Sequence, residues 1–228
     1  LTQALDLKPD DYELIKDLGN TFLAERDINR AKSYYQQAIS INSSYAPALT
    51  NLGSIELTKG NKQTALPLLV KATQSDPQLA PAWINLANCY YELEKTNEAS
   101  IACCKAIGLN PNLFNPHFIL SNILIRQNKL IEAEQSLRRT IELKPDFIQA
   151  YLNLAAILKE RGKLREAEQY LRKTIELNPN LFNSHFLLGS ILIGQNKLVE
   201  AEQSLRKAIE LKPDFSEAHL NLGAVLQE

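Results

Sequence analysis

Histidine is a common metal ligand and catalytic base, and this chain of 228 residues contains three histidines. His117, His185 and His219 are separated by 68 and 34 residues, and they share their place on a 34-residue grid with Trp83 and Tyr151. A separation of this length puts each histidine on a different structural unit, so the three cannot bind one metal ion. We therefore interpret them as packing residues on the buried side of a helix.

The three cysteines, Cys89, Cys103 and Cys104, fall within one 34-residue period and can come close to one another. An odd number of cysteines argues against a disulfide framework and is typical of a reducing compartment. No histidine lies in the same period to complete a zinc site, and cysteine is among the most buried residue types. We expect these side chains to fill a core, and we predict that the chain binds no metal and no cofactor.

No arrangement of a nucleophile, a base and an acid stands out in the sequence. The segment from Gly189 to Gly194, followed by Gln195, Asn196 and Lys197, faintly suggests a phosphate-binding loop. It lacks the Gly-Lys-Ser/Thr ending that places a lysine and a hydroxyl beside the phosphates, so we reject that interpretation. We predict that this chain has no catalytic residues and is not an enzyme.

Composition argues against several other classes of function. Lys and Arg number 25 against 26 Asp and Glu, a balance that gives no sign of a basic stripe for nucleic acid. No apolar run approaches the roughly 18 residues of a membrane span, and residues 1–10 lack the features of a signal peptide. We predict a cytoplasmic protein with no nucleic-acid or membrane partner. Because the chain has no methionine and begins with Leu1, we expect an excerpt from a longer protein.

A repeat of 34 residues organises the sequence and must position any functional side chain. Prolines recur on this grid, with Ser43 as the one exception, at Pro9, Pro77, Pro111, Pro145, Pro179 and Pro213. Alanines recur in the same way at Ala31, Ala65, Ala99, Ala133, Ala167 and Ala201. Segments 114–147 and 182–215 are nearly the same, which indicates a tandem duplication of a 68-residue unit.

Each period contains two helical patterns. Tyr151, Leu154, Ala155 and Leu158 follow the i, i+3, i+4, i+7 spacing of an amphipathic helix, and a proline ends the second pattern. One place on every first helix holds a small residue, which lets two helices approach closely. These residues are Gly19, Gly53, Ala87, Ser121, Ala155, Gly189 and Gly223. Pro67 interrupts one second helix, and we expect a bend there.

Segment 83–90, together with Ala99, Ala106 and Pro111, closely resembles the tetratricopeptide repeat, and the resemblance extends over essentially the whole chain. It implies an all-α fold, a right-handed superhelical solenoid of antiparallel helix hairpins whose first helices line the concave face. We expect a single solenoid domain over residues 1–228. Its full repeats are 12–45, 46–79, 80–113, 114–147, 148–181 and 182–215, with partial repeats at 1–11 and 216–228.

In this family, the second, fifth, sixth, ninth and twelfth residues of a repeat point into the groove. Asparagines recur as the sixth and ninth residues of the repeat, at Asn20, Asn51, Asn85, Asn88, Asn122, Asn153 and Asn221. They form a partial ladder similar to that of O-linked N-acetylglucosamine transferase, in which asparagines hold a peptide backbone. An asparagine side chain can pair with both polar groups of that backbone, because it has a donor and an acceptor. Asp17, Ile119 and Leu187 interrupt the ladder, and the alternative is that the asparagines cap or bridge neighbouring repeats.

Apolar side chains occupy other inward places. The fifth place holds Ile84, Phe118, Leu152, Phe186 and Leu220, and the twelfth place holds Tyr91, Ile125 and Ile193. A contiguous row of exposed apolar side chains usually marks an interaction site. The alternative is that these side chains pack against the adjoining repeat.

Some members of this family hold the acidic C-terminus of chaperones with a two-carboxylate clamp. Lys16, Asn20 and Asn51 match the first three positions of the clamp. Pro81 and Asn85 stand where the clamp has a lysine and an arginine. Because those cations are missing, we predict weak or no binding to such chaperone tails.

The leading functional hypothesis is a non-catalytic scaffold that binds an extended or helical peptide of a partner protein in its groove. The proposed contacts are Lys16, Asn20, Asn51, Asn85, Asn88, Tyr91, Phe118, Asn122, Leu152, Asn153, Phe186 and Asn221. The alternative hypothesis is that the repeats are the substrate-recognition arm of a larger enzyme, such as a glycosyltransferase or another transferase. A third hypothesis is end-to-end self-association, because the last helix pattern, with Leu220, Leu222 and Val225, has no partner helix in this sequence.

Overall fold

The computed structural model describes residues 8–227, and within this range it contains thirteen α-helices and no β-strand. The first seven helices are α1 (Tyr12–Ala24), α2 (Ile28–Ile41), α3 (Ala46–Thr58), α4 (Lys62–Ser75), α5 (Ala80–Glu92), α6 (Thr96–Leu109) and α7 (Phe114–Arg126). The remaining six are α8 (Leu130–Leu143), α9 (Ile148–Glu160), α10 (Leu164–Leu177), α11 (Phe182–Gly194), α12 (Leu198–Leu211) and α13 (Ser216–Val225). No helix in the described range is both long enough and apolar enough to cross a membrane.

Two consecutive helices fall within each predicted 34-residue repeat. The turn between them contains one residue with a left-handed backbone, and this residue recurs every 34 positions. These residues are Arg26, Gly60, Glu94, Asn128, Gly162 and Asn196. Such a turn brings the second helix back alongside the first, because the positive φ angle ends one helix and redirects the chain.

The chain divides into two compact units, which we call unit 1 (residues 1–123) and unit 2 (residues 124–228). In unit 1, the helices pack as the pairs α1 with α2, α3 with α4, and α5 with α6, and each pair also contacts the next. In unit 2, α9 packs with α10 and α11 with α12, while α12 also contacts α13. The predicted all-α solenoid of helix hairpins is therefore confirmed. The extent of a single domain stays a prediction, and residues 1–7 of the predicted partial repeat lie outside the described range.

Close helix contact at the small-residue positions is confirmed at three glycines. A Cβ atom added to Gly19 would lie 2.6 Å from Cε1 of Tyr35, and one added to Gly53 would lie 2.7 Å from the Leu69 side chain. One added to Gly189 would lie 2.7 Å from Cγ of Leu205. The first helix of each of these pairs therefore touches a large, fully buried side chain of the second helix. Helix α4 continues through Pro67, from Lys62 to Ser75. The bend at Pro67 stays a prediction.

Candidate interaction surface

In unit 1, the first helices of successive repeats are neighbours. A hydrogen bond of 2.9 Å from Asn51 Nδ2 to Asn20 Oδ1 joins α3 to α1, and α3 also contacts α5. Ile84 of α5 shares a buried cluster with Ile119 and Ile123 of α7. Residues at equivalent places on these helices therefore follow one another along unit 1, and this row is the candidate interaction surface.

The first part of this surface is a polar cluster centred on Asn20. The Tyr35 hydroxyl donates to Asn20 Oδ1 at 2.8 Å, and Asn20 Nδ2 donates to Asp17 Oδ1 at 3.4 Å. Burial raises the pKa of Tyr35, so its hydroxyl is a donor at neutral pH. Asn20 and Asn51 thus bridge two repeats, which is the role that the sequence left open as the alternative. Asn51 keeps its carbonyl oxygen for other partners.

Lys16 lies at the edge of the same cluster and forms an ion pair with its neighbour Asp17. Burial alone would lower the pKa of Lys16, but the hydrogen bond to Asp17 and nearby acidic groups outweigh burial and raise it. The ammonium group is therefore charged at neutral pH and already has a carboxylate beside it. That carboxylate adds a negative charge at the place where the family's clamp would receive an acidic tail.

Helix α5 supplies the next part of the surface. Asn85, Asn88 and Tyr91 follow one another at spacings of three residues, and all three are half-buried. Side chains three apart lie on the same face of a helix. Within the described residues, the amide groups of Asn85 and Asn88 have no side-chain hydrogen bond to another repeat, in contrast to the Asn20–Asn51 pair. Phe118 and Asn122, on the neighbouring helix α7, are also half-buried.

The apolar fifth place differs from repeat to repeat. Ile84 and Leu152 are each only 8% exposed, so they belong mainly to the core, whereas Leu220 is 73% exposed. The expectation of a continuous exposed apolar row is therefore wrong at Ile84 and Leu152, because packing inside the units covers them. The roles of the half-buried Phe118 and Phe186 in binding stay predictions.

In unit 2, Phe186 has a defined packing partner. Its ring lies 4.8 Å from the ring of Phe215, at an interplanar angle of 81°, and Phe182 lies 5.2 Å from the same ring. The Lys212 ammonium group lies 4.8 Å from the centre of the Phe182 ring. Edge-to-face contacts of this kind stabilise the fold, so the structure supports the packing alternative for Phe186. Asn153 accepts a bond of 2.8 Å from Gln149, and Asn221 is half-buried on α13.

The three histidines have a structural role that the sequence analysis missed. Five side chains at the fourth place of a first helix contact the carbonyl oxygen of the proline six residues earlier. They are Trp83 with Pro77 (3.0 Å), His117 with Pro111 (3.3 Å), Tyr151 with Pro145 (2.9 Å), His185 with Pro179 (2.9 Å) and His219 with Pro213 (2.8 Å). His117 and His185 are half-buried, whereas His219 is exposed, so the predicted burial of His219 was wrong. The constant six-residue separation from proline is the signal that could have revealed this contact.

A network of charged side chains in unit 2 was also missed. Glu134 is only 6% exposed and accepts hydrogen bonds from Arg138, Arg161 and Lys163. Arg138 also donates a hydrogen bond of 2.5 Å to Glu166 of the next repeat, and this bond lowers the pKa of Glu166. The pattern recurs one repeat later, where Glu168 pairs with Arg172 and Lys197, and Arg172 pairs with Glu200. The recurrence of Glu and Arg four residues apart is the signal for this network.

Two of the three cysteines are buried and one is exposed. Cys89 and Cys103 are buried, as predicted, and burial raises the pKa of Cys103 to about 12. Cys104 is exposed, so the prediction that it fills a core was wrong. Within residues 8–227, no group of three or more His, Cys, Asp and Glu side chains is arranged to hold a metal ion.

Comparison with known proteins places these features in a family. The sequence model of the cilia and flagella-associated protein 70 C-terminal domain, a tetratricopeptide-repeat domain, matches residues 8–222. No curated protein matches the chain in a sequence comparison.

Solved structures with the same fold include YrrB, described as a tetratricopeptide-repeat protein with an unusual peptide-binding site. YrrB is 23% identical, with a TM-score of 0.71 over 82% of this chain and 96% of its own. PilF of Pseudomonas aeruginosa is 20% identical, with a TM-score of 0.83 over 95% of this chain and 100% of its own. The APC/C Cut9–Hcn1 structure is 15% identical, with a TM-score of 0.77 over 99% of this chain and 45% of its own. At these identities, the likeness establishes the fold alone.

Proposed function

This chain belongs to the family of the cilia and flagella-associated protein 70 C-terminal domain, and from that premise we propose that it is a non-catalytic module that binds a peptide segment of another protein. The proposed site is the row of first helices in unit 1, with α5 at its centre. The similarity to YrrB, a fold relative described as peptide-binding, supports the class of ligand. The segment binds in an extended or helical form.

The observation that carries the proposal is the pair of asparagines on α5. Asn85 and Asn88 lie three residues apart on one helix face, and both are half-buried. Each amide provides donors and an acceptor, which match the N–H and C=O groups of a peptide backbone. Because the two groups are partly removed from water, each hydrogen bond to a ligand contributes about 0.5–1.5 kcal/mol.

Other residues define the limits of this site. Three helices provide further contacts for the same ligand. These contacts are Asn51 on α3, Tyr91 on α5, and Phe118 and Asn122 on α7. Asn20 positions Asn51 through their mutual hydrogen bond and is a positioning residue in this proposal.

In unit 2, we propose that Leu152, Asn153, Phe186 and Asn221 are at most secondary contacts. Leu152 is 8% exposed, and Phe186 already packs against Phe215, so both have limited surface for a ligand. The proposed primary site therefore lies in unit 1.

The charge around Lys16 determines which peptides this site rejects. Asp17 pairs with Lys16, and the family's two further cations are replaced by Pro81 and Asn85. A peptide that ends in several carboxylates would meet one lysine whose charge the Asp17 carboxylate already balances. We therefore expect acidic chaperone tails to bind weakly or not at all in calorimetry, and micromolar binding that Lys16→Ala abolishes would contradict this.

The proposal can be tested with peptides selected from a random phage-displayed library against the intact chain. We expect selected peptides to bind the wild-type chain and to lose at least about tenfold in affinity for the double variant Asn85→Ala with Asn88→Ala, a loss of about 1.4 kcal/mol. Asn97→Ala changes an exposed asparagine of α6 outside the proposed surface and is the matched control. Equal affinity for the wild type and the double variant, with unchanged melting, would reject this surface as the peptide site.

A further inference from the structure

A second surface of unit 1 has the features of a binding site and does not involve the asparagines. An open cavity of about 610 Å³ lies between the turn before α5 and the exposed face of α6. Trp83, Ile101, Cys104 and Leu109 are among its lining residues. A volume of this size is in the range of ligand sites in proteins, roughly 300–1,000 Å³.

The sequence register explains why the cavity occurs on this repeat. Cys104 and Gly108 of α6 stand where α8 has Arg138 and Glu142. Replacement of a long side chain by a thiol and of another by a hydrogen atom leaves space above the helix. A Cβ atom added to Gly108 would meet nothing within 4 Å, which confirms that the space is open.

The residue type at the place of Ile101 also distinguishes α6 from the second helices of unit 2. Ile101 is 62% exposed, and its counterparts on the second helices of unit 2 are the glutamines Gln135, Gln169 and Gln203. Trp83 packs against the core of unit 1 and is fixed by the hydrogen bond from its Nε1 to the Pro77 carbonyl oxygen. Trp83 and Ile101 therefore give the cavity an apolar side, and Trp83 is already held in one orientation, which lowers the entropic cost of binding.

Lys105, at the rim of the cavity, lacks the acidic partner that the equivalent basic residues of unit 2 have. In three repeats of unit 2, this basic residue pairs with an acid three residues later. The pairs are Arg139 with Glu142 (3.0 Å), Lys173 with Glu176 (2.8 Å) and Lys207 with Glu210 (2.6 Å). In α6, the equivalent residues are Lys105 and Gly108, so the acid is missing. Within the described part of the chain, Lys105 forms no ion pair, and it lines the cavity.

We infer that this cavity binds an acidic segment of a partner protein that carries one large apolar side chain. The apolar side chain enters the cavity against Trp83 and Ile101, and a neighbouring carboxylate pairs with Lys105. Exposed apolar surface with a polar rim is typical of interaction sites. The lone cation at the rim selects acidic partners, because a basic segment would be repelled and a neutral one would leave it unpaired.

This site is independent of the proposed peptide surface. Trp83 and Asn85 are both on α5 but two residues apart, so their side chains leave the helix in different directions. A partner can occupy one surface while the other is free, and the two assignments can fail separately.

The alkylation rate of Cys104, which lines the cavity, reports on binding in the intact chain. Cys89 and Cys103 are buried and burial raises the pKa of both thiols, so neutral iodoacetamide should modify Cys104 first. The probe is the capped tripeptide acetyl-Phe-Asp-Glu-amide. At a peptide concentration near a dissociation constant of about 1 mM, half of the cavities are filled and alkylation of Cys104 should slow about twofold.

Two control peptides separate the apolar contribution from the charge contribution. Acetyl-Ala-Asp-Glu-amide lacks the large apolar side chain, and acetyl-Phe-Lys-Lys-amide reverses the charge. Neither should slow alkylation when the first peptide slows it about twofold. If no peptide slows alkylation, or if the basic peptide slows it equally, the inference is overturned.

Variants of the chain provide the second test, in which each variant's alkylation rate with peptide is compared with its own rate without peptide. Lys105→Glu should remove protection by the acidic peptide and create protection by the basic one. Lys207→Glu makes the same charge change on α12, and the acidic peptide should still protect Cys104 of this variant while the basic peptide does not. The acidic peptide should also still protect Cys104 in the double variant Asn85→Ala with Asn88→Ala. Lys105 is exposed, so Lys105→Glu should keep the wild-type melting temperature, and an unchanged preference in that folded variant would contradict the site.

Discussion

The two units are built from the same 34-residue repeat, but they use the exposed faces of their second helices differently. In unit 2, Glu134 and Glu168 occupy equivalent places and each anchors a group of cations that reaches the next repeat. In unit 1, the equivalent places hold Lys32, Leu66 and Ser100, so no such series forms. Unit 2 joins its repeats by charge, whereas unit 1 joins them by contacts that differ from one repeat to the next.

This difference shows which positions of the repeat are constrained. The helix contacts of both units depend on alanines, leucines and small residues that touch within a hairpin, such as Gly53 with Leu69 and Gly189 with Leu205. Positions outside that set can vary without loss of the fold. In unit 1, this variation leaves a cavity on α6 and, beside it, a lysine that forms no ion pair with the described residues. In unit 2, the same positions form ion pairs that join neighbouring repeats.

The largest expected effect concerns the duplicated phenylalanine in unit 2. Phe186→Ala removes a half-buried ring that packs against Phe215, and we expect a loss of about 3 kcal/mol in the free energy of unfolding. Leu220→Ala alters the same place of a repeat where the side chain is 73% exposed, and it should cost less than about 0.5 kcal/mol. Chemical denaturation measures both. A cost for Phe186→Ala as small as that for Leu220→Ala would show that this ring is free to bind a ligand.

A second test addresses the charge network of unit 2. Glu134→Gln keeps the shape of the side chain but leaves three cations around an uncharged group, and we expect a loss of about 2 kcal/mol at low salt. Because the cations are 25–38% exposed on their side chains, salt should reduce the difference from the wild type. Glu202 stands at the same place of a later repeat, and among the described residues it pairs with Arg206 alone. Glu202→Gln should therefore cost no more than about 0.5 kcal/mol.

A third test concerns a buried charge of unit 1. Glu56 is 2% exposed, and hydrogen bonds from Lys32, the larger effect, and from Asn61 lower its pKa below the usual glutamate value. A carboxyl group whose pKa is lowered by folding stabilises the fold above its unfolded pKa. That stabilisation is lost as the pH falls through the lower folded value.

Glu56→Gln should accordingly destabilise the chain by about 1.5 kcal/mol near pH 7, with a smaller difference as the pH falls below about 4. Unfolding free energies across this pH range provide the measurement. Glu92→Gln changes an ion-paired but exposed carboxylate of the same unit and should cost less than about 0.5 kcal/mol. A Glu56→Gln effect that grows as the pH falls would contradict the stated direction of the pKa shift.

The sequence was sufficient to predict the helix pairs, because prolines, alanines and small residues recur on a strict grid and each serves packing or helix termination. It was insufficient where the partner of a side chain depends on its direction. The asparagine pattern did not reveal that Asn20 and Asn51 bond to each other, because periodicity gives the place of an amide but not its partner. Cys104 was assigned to the core by residue type alone, while its place on the exposed face of α6 decides its environment.

The smallest expected effect is at Ser184, a fully buried residue of α11 in unit 2 whose hydroxyl has no hydrogen-bond partner among the described residues. Burial of an unpaired hydroxyl is unfavourable, and the same place of the repeat is alanine at Ala150 and Ala218, which are also fully buried. Ser184→Ala should therefore raise the free energy of unfolding by about 1 kcal/mol.

The matched control is Ser121, which is equally buried in unit 1 but donates its hydroxyl to the Phe118 carbonyl oxygen at 2.6 Å. Ser121→Ala loses this bond, but helical alanine is intrinsically favourable, so we expect a change within about 0.5 kcal/mol in either direction. Both substitutions replace a fully buried serine of a first helix by alanine, and the two hydroxyls differ in their hydrogen bonding. Denaturation midpoints of both variants measure that difference, and a Ser184→Ala variant less stable than the wild type would mean that the hydroxyl finds a partner in solution. Such a result would mean that both units hydrogen-bond their buried serine hydroxyls, which would remove this difference between them.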